Sequence, residues 1–250
     1  MSVVELIPFS ASTTTVLALG AFAAGFVTGL IGFGTALVAL AFWLHVVDPH
    51  VTGPLIAICA VASQLTSIRL IWRGLQWRRL WPFLGGGVVG LPIGVWLLEL
   101  VHADMLKVLV GLVLVAYALY NLIHGRIHIP RWGGARANTA VGALGGILGG
   151  AAGLAGVLPT VWCGMRGWSA DEQRGTYQPY TLAILALAIP GYAMNGALTA
   201  EVFAASIFAI PLSWLAGWAG VHCYALLDAR QFRLMVLWML LVSGALLLLA

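Results

Sequence analysis

The sequence predicts an all-α polytopic membrane protein of two inverted repeats, each opening with a glycine-rich broken helix or hairpin. Three observations carry that reading. Of 250 residues, 62% are hydrophobic and 8% charged, against about 25% charged in a soluble domain. A glycine stretch, GFVTGLIGFGT from Gly25 to Thr35, returns in altered form as GILGGAAGLAG from Gly146 to Gly156. The arginines gather on one side of a membrane only if both stretches turn the chain back.

The first apolar run, 12–47, would be about 54 Å long as one helix, against a hydrocarbon core of about 30 Å. It must break, at Gly32-Phe33-Gly34, into helices of about 12–31 and 35–47. Asp48-Pro49-His50 reads as a turn, and the next helix as about 54–73 with Pro54 in its first turn. Helices follow at about 81–101 and, with Asp104 as N-cap, 104–123. The polar, Pro- and Gly-bearing stretch 125–138 is the connector. Beyond it the order repeats at about 139–152, 156–164, 175–194, 200–226 and 231–250. Asn195 reads as a helix end and His222 as a packing residue.

The result is about eight long helices, or ten with hairpin halves counted separately. They form one transmembrane domain, 1–250, with repeat 1 at about 12–124 and repeat 2 at about 139–250. No basic segment precedes the first apolar run, so it does not read as a cleaved signal peptide. An offset of 121 pairs Gly25 with Gly146, Gly29 with Gly150 and Gly32 with Gly153. An offset of 126 pairs Gly94 with Gly220, Ala103 with Ala229 and Lys107 with Arg233.

The net charge of +4 reports orientation rather than nucleic-acid binding. If each glycine stretch crosses once, the basic residues split seven against five. If each reverses the chain, Arg69, Arg73, Arg78, Arg79, Arg126, Arg131, Arg136, Arg166, Arg174, Arg230 and Arg233 share one side, with only Lys107 opposite. The second arrangement makes the arginine side cytoplasmic and both termini periplasmic. Each half then has an odd number of crossings, so the halves are inverted. Full spanning and re-entry of the hairpins stay open.

A turn at membrane depth must be buried or line a wet cavity. Gly25, Gly29, Gly32, Gly146 and Gly150 allow the turn and close helix approach. Gly34 and Thr35, with Gly153 and Gly156, then bring two helix N-termini together as an anion site. Polar side chains in the two following helices extend the site: Ser63, Gln64 and Ser67 in one, Arg174, Tyr177, Gln178 and Tyr180 in the other. Gln64 and Gln178 weigh most, because Ser and Thr can bond their own preceding turn.

All eight carboxylates fall near helix ends, which leaves a proton relay without support. Cys59, Cys163 and Cys223 read as buried thiols, not as a metal or redox site. No hydrolase, phosphate-loop or metal motif is present, so neither an enzyme nor a cofactor is expected.

The spacing Gly25-x-x-x-Gly29-x-x-Gly32-x-Gly34, its echo in the second half and RGTYQ at Arg174 to Gln178 resemble the TauE/SafE-type sulfite exporter family. The resemblance covers essentially the whole chain. It implies a bacterial inner-membrane carrier of small anions such as sulfite, thiosulfate, sulfonates or related organic acids. Two departures stand out: Ala155 where a second Gly34 is due, and Trp72-Arg73 where members often carry a histidine. The expected function is export of such an anion by alternating access, with the bilayer as surroundings and a homodimer left open. The alternative is a non-transporting assembly or receptor subunit whose glycines serve packing alone.

Overall fold

The computed structural model describes residues 9–43, 46–97, 103–123 and 133–249. Glu5, Glu99, Arg126, Arg131 and most of the expected connector lie outside the described residues. In chain order the helices are α1 (Ala11–Ile31), α2 (Thr35–Trp43), α3 (Pro49–Leu65), α4 (Ile68–Gly74), α5 (Trp77–Leu97) and α6 (Ala103–Ile123). They continue as α7 (Gly134–Ala152), α8 (Val157–Met165), α9 (Ala170–Met194), α10 (Ala200–Tyr224) and α11 (Ala229–Leu249). No strand occurs among the described residues. By length and composition α1, α5, α10 and the 229–246 part of α11 can each cross a membrane. Trp81, Trp96, Phe203, Ile207 and Trp238 are exposed on these helices, as a lipid-facing surface requires.

Both glycine stretches reverse the chain. α2 folds back along α1: Thr35 meets Thr28, their hydroxyls 2.6 Å apart, and further along Trp43 Nε1 donates to Leu17 O at 3.2 Å. α8 folds back along α7 in the same manner, and there Trp162 Nε1 donates to Asn138 Oδ1 at 2.9 Å. Each hairpin is closed by a tryptophan near the end of its short arm. Those arms have nine residues each, about 14 Å of helix, too short to cross alone.

Several boundaries differ from expectation for local reasons. α3 begins at Pro49 because Asp48 is its N-cap, accepting from His50 N at 2.8 Å. The expected 54–73 helix breaks after Leu65. There Thr66 Oγ1 donates to Ser63 O at 2.6 Å, a side chain competing for a backbone acceptor. Asp104 lies inside the first turn of α6 rather than at its cap. α7 starts at Gly134, within the expected connector. α9 starts at Ala170 because Ser169 and Glu172 form a capping box.

The two halves grip each other through matched pairs. α1 packs on α10 and α7 on α5, each half's first helix against the other half's third long one. Gly25 faces the Ser213 backbone, and Gly146 that of Gly87. Gly29 faces Gly217, and Gly150 faces Leu91. Gly220 meets Phe26, and Gly94 meets Ile147. Each pair returns at the offsets 121 and 126 with the halves exchanged. Gly25, Gly29, Gly146 and Gly150 therefore serve backbone-to-backbone packing and lie outside the turns themselves.

That packing separates two kinds of glycine. A Cβ at Gly150 would lie 2.6 Å from Leu91 O, whereas one at Gly85 meets nothing within 4 Å. Gly150→Ala is expected to lower the thermal midpoint in detergent sharply. Gly85→Ala should raise stability by about 0.5–1 kcal/mol, the helix-propensity gain. Equal responses in the two melting curves would overturn the packing assignment.

Candidate anion site at the paired helix breaks

The first break holds two glycines in left-handed conformations, Gly32 (φ 87°) and Gly34 (φ 102°). The second holds one, Gly153 (φ 70°). Among the described residues no non-glycine has positive φ, so Ala155, in the place corresponding to Gly34, does not need the left-handed conformation that Gly34 adopts. The breaks meet. Gly34, Thr35, Gly153 and Gly156 line one cavity of about 10 Å³ with Phe33 and Thr181, the size of about one water site. Helices α2 and α8 both begin at this cavity, and first-turn N–H groups have no acceptor within their own helix. Phe33, Thr181 and Leu185 line it without having been chosen from sequence. Thr181 does bond its own preceding turn, at Tyr177 O (2.7 Å), yet still lines the cavity.

α9 holds both broken helices. Arg174, 1% exposed, donates from Nη1 to Leu30 O at 2.9 Å and from Nη2 to Gly29 O. Its Nε donates to Gln178 Oε1 at 2.8 Å, and the guanidinium lies 4.2 Å from the Tyr224 ring centre. Tyr177 donates to Ile31 O. The last three carbonyls of α1 are thus satisfied by two side chains of α9. On the other side, Tyr180 donates to Gly142 O at 2.7 Å and Tyr192 to Gly150 O at 3.3 Å, both in α7. Arg174, Tyr177 and Tyr180, expected to face an anion, hold backbone carbonyls instead. None of them lines the small cavity.

The remaining expected residues divide. Ser63 lies against Gly217 of α10 and donates to Ala60 O at 3.1 Å. Both amide atoms of Gln64, the Ser67 hydroxyl and Gln178 Nε2 are buried without a hydrogen-bond partner. An unmet buried amide costs about 1–3 kcal/mol. Gln64 and Ser67 flank the α3–α4 break. α3 reaches the second turn through Ile56, which packs on Gly153, and α9 reaches it through Thr181 on Gly156.

Arg79 bridges Glu172 at 2.8 Å, Arg166 lies over Trp168, and Arg233 donates to Asn121 O at 3.1 Å. The end of α4 meets the start of α9, Gly74 against Asp171 and Gly175. Among the described acidic residues, Asp48 and Asp228 precede helices, and Asp171, Glu172 and Glu201 sit in first turns. His222 bonds Trp218 O within its own helix, and Asn195 ends α9. Cys59 and Cys163 are buried free thiols, and Cys223 is free and half-buried. No cluster of metal-ligating side chains occurs among the described residues.

The family profile described as "Sulfite exporter TauE/SafE" matches residues 17–247. The chain belongs to this family. It is a family of membrane transporters, and the chain is a multi-pass membrane protein. A similar curated protein is the "Probable membrane transporter protein YtnM" of Bacillus subtilis (strain 168), 33% identical over 86 residues. That similarity covers 34% of this chain and a quarter of the relative's length, 25%. No solved structure matches.

Across the family match, RGTYQ takes a structural meaning: its arginine and tyrosine close the end of a broken helix. Tyr177→Phe leaves the Ile31 carbonyl buried without its donor, and should cost about 1–3 kcal/mol. A thermal midpoint equal to that of the parent protein would remove Tyr177 from this role.

Proposed function

We propose that this transporter exports a small sulfur-containing or organic anion, of the sulfite, thiosulfate or sulfonate class, across a bacterial inner membrane. The observation that carries the reading is the pairing of helix ends at the small cavity. A broken helix offers a positive N-terminus and a negative C-terminus. Here α9 donors cover the carbonyls ending α1, while the starts of α2 and α8 are left at the cavity. Helix starts so placed favour an anion.

At about 10 Å³ the cavity is too small for such an anion, so the two breaks separate to admit it. Thr35, Gly34, Gly153 and Gly156 supply backbone donors there, and Gln64, Ser67 and Gln178 supply further polar groups as the helices move. Two inverted repeats, about 12–124 and 139–250, would rock about the shared centre. The exchanged glycine contacts and the two tryptophan-closed hairpins support that layout. An inside-negative potential drives an anion outward by about 2.3 kcal/mol per charge per 100 mV. Both termini are periplasmic in this arrangement, and no cofactor or nucleic acid takes part.

Gln64 gives the sharpest test. Gln64→Leu removes a buried unmet amide, so the variant should melt no lower than the parent. It should nevertheless lose about tenfold or more in counterflow of labelled sulfite into proteoliposomes, as expected when one charge-assisted hydrogen bond to the anion goes. Unchanged flux excludes Gln64 from the path. Absence of flux in the parent protein with sulfite, thiosulfate and a two-carbon sulfonate would sink the transport reading. A reporter fused to either terminus should read periplasmic, and a cytoplasmic signal would remove the inverted layout.

A further inference from the structure

A second cavity, of about 320 Å³, opens between the end of α6, the α8–α9 turn and the start of α11. Tyr117, Asn121, Thr160, Gln173 and Arg233 give it a polar wall, with Trp168 beside them. Among the described residues no carboxylate lines it. Of the acids in the adjoining helical turn, Asp171 accepts from Tyr224 at 2.7 Å, and Glu172 bridges Arg79 at 2.8 Å while its other oxygen closes the capping box with Ser169. Positive charge comes from Arg233, and Ser169 and Ala170 at the start of the 25-residue α9 line the cavity beside it. One further group points to a ligand. Thr160 is 3% exposed, lines this cavity, and its hydroxyl has no hydrogen-bond partner.

The cavity also has a defined relation to the helix breaks. Gly156 and Val157 line the small cavity, while Thr160 and Gly164 line the large one. Residues 156, 160 and 164 follow one face of α8, and Thr160 lies about 6 Å along the helix from Gly156. A single helix face therefore walks from the wide polar chamber to the closed centre. Gly164 leaves room for the Tyr117 hydroxyl, which a Cβ there would overlap.

We propose that this chamber is a second anion site, an antechamber on the arginine side. Thr160 and Arg233 hold a small oxyanion there before it passes along α8 to the paired breaks. The inference rests on the transport reading for its direction, but the site itself is a matter of binding. It is tested on the full chain in detergent by the tryptophan emission change on titration with sulfite, with chloride at matched ionic strength as control.

Trp168→Phe should abolish most of that change. Arg233→Gln should raise the half-saturating sulfite concentration about tenfold, as loss of a charge-assisted hydrogen bond does. Thr160→Val, which keeps shape and fold, should raise it about threefold. Parental half-saturation in Thr160→Val and Arg233→Gln overturns the antechamber, as does an equal response to chloride. Normal sulfite flux with no Trp168-dependent signal also overturns it and leaves the transport reading intact. A signal with the expected variant shifts but no flux upholds the site and removes the transport reading.

Discussion

Two helices in this protein stop where a helix can least afford to, at depth in an apolar chain, and α9 makes that tolerable. An interrupted helix leaves its last carbonyls without partners, and burial makes each one expensive. Arg174 and Tyr177 donate to Gly29, Leu30 and Ile31 at the end of α1. Tyr180 and Tyr192 reach carbonyls of α7. One helix from the second half therefore fixes the broken helices of both. Arg174 is a buried cation balanced by carbonyl dipoles and a tyrosine face, with no carboxylate among its hydrogen-bond acceptors.

The breaks could not be held so closely without the glycine stripes around them. At Gly25, Gly29, Gly146 and Gly150 the neighbouring backbone occupies the space a Cβ would need. Helices that approach to this distance gain dispersion contacts along their length, which matters where lipid offers no hydrophobic drive for association. One glycine run thus serves two ends: its first members dock the helix, and Gly32, Gly34 or Gly153 then turn it.

Much of this was legible in the sequence. The length of the first apolar run demanded a break at Gly32-Phe33-Gly34, and the arginine count demanded that the break reverse the chain. The hairpin bonds of Trp43 and Trp162 agree with both. The site was legible only in part. Gly34, Thr35, Gly153 and Gly156 do meet. The sequence expects Tyr177, Tyr180 and Arg174 at the anion because a polar side chain in an apolar helix demands a partner. The partners are backbone carbonyls, at the end of α1 for Arg174 and Tyr177 and within α7 for Tyr180, and composition alone does not reveal which helix lies opposite. The α3–α4 break has no glycine or proline to announce it: Ser63 and Thr66 compete there for backbone acceptors, a habit of Ser and Thr that does not by itself say where a helix ends. Phe33 and Leu185 carry no sequence signal beyond being apolar.

In the proposed anion site, the division of labour between helix ends sets the sign of the centre. Two breaks bring four helix ends toward one region, and left alone their partial charges would oppose each other. Covering the carbonyls with donors from α9 removes acceptors that a cation would use. It also places the Arg174 charge behind the end of α1, where it adds to a positive field without occupying the cavity. The glutamines complete the argument. A buried amide with unmet atoms lowers stability, and Gln64 and Gln178 retain such atoms in the two helices that contact the second turn through Ile56 and Thr181. Residues that serve only packing gain nothing from that cost, and this is the reason the proposed transport path gives these two amides a ligand in another arrangement of the same helices.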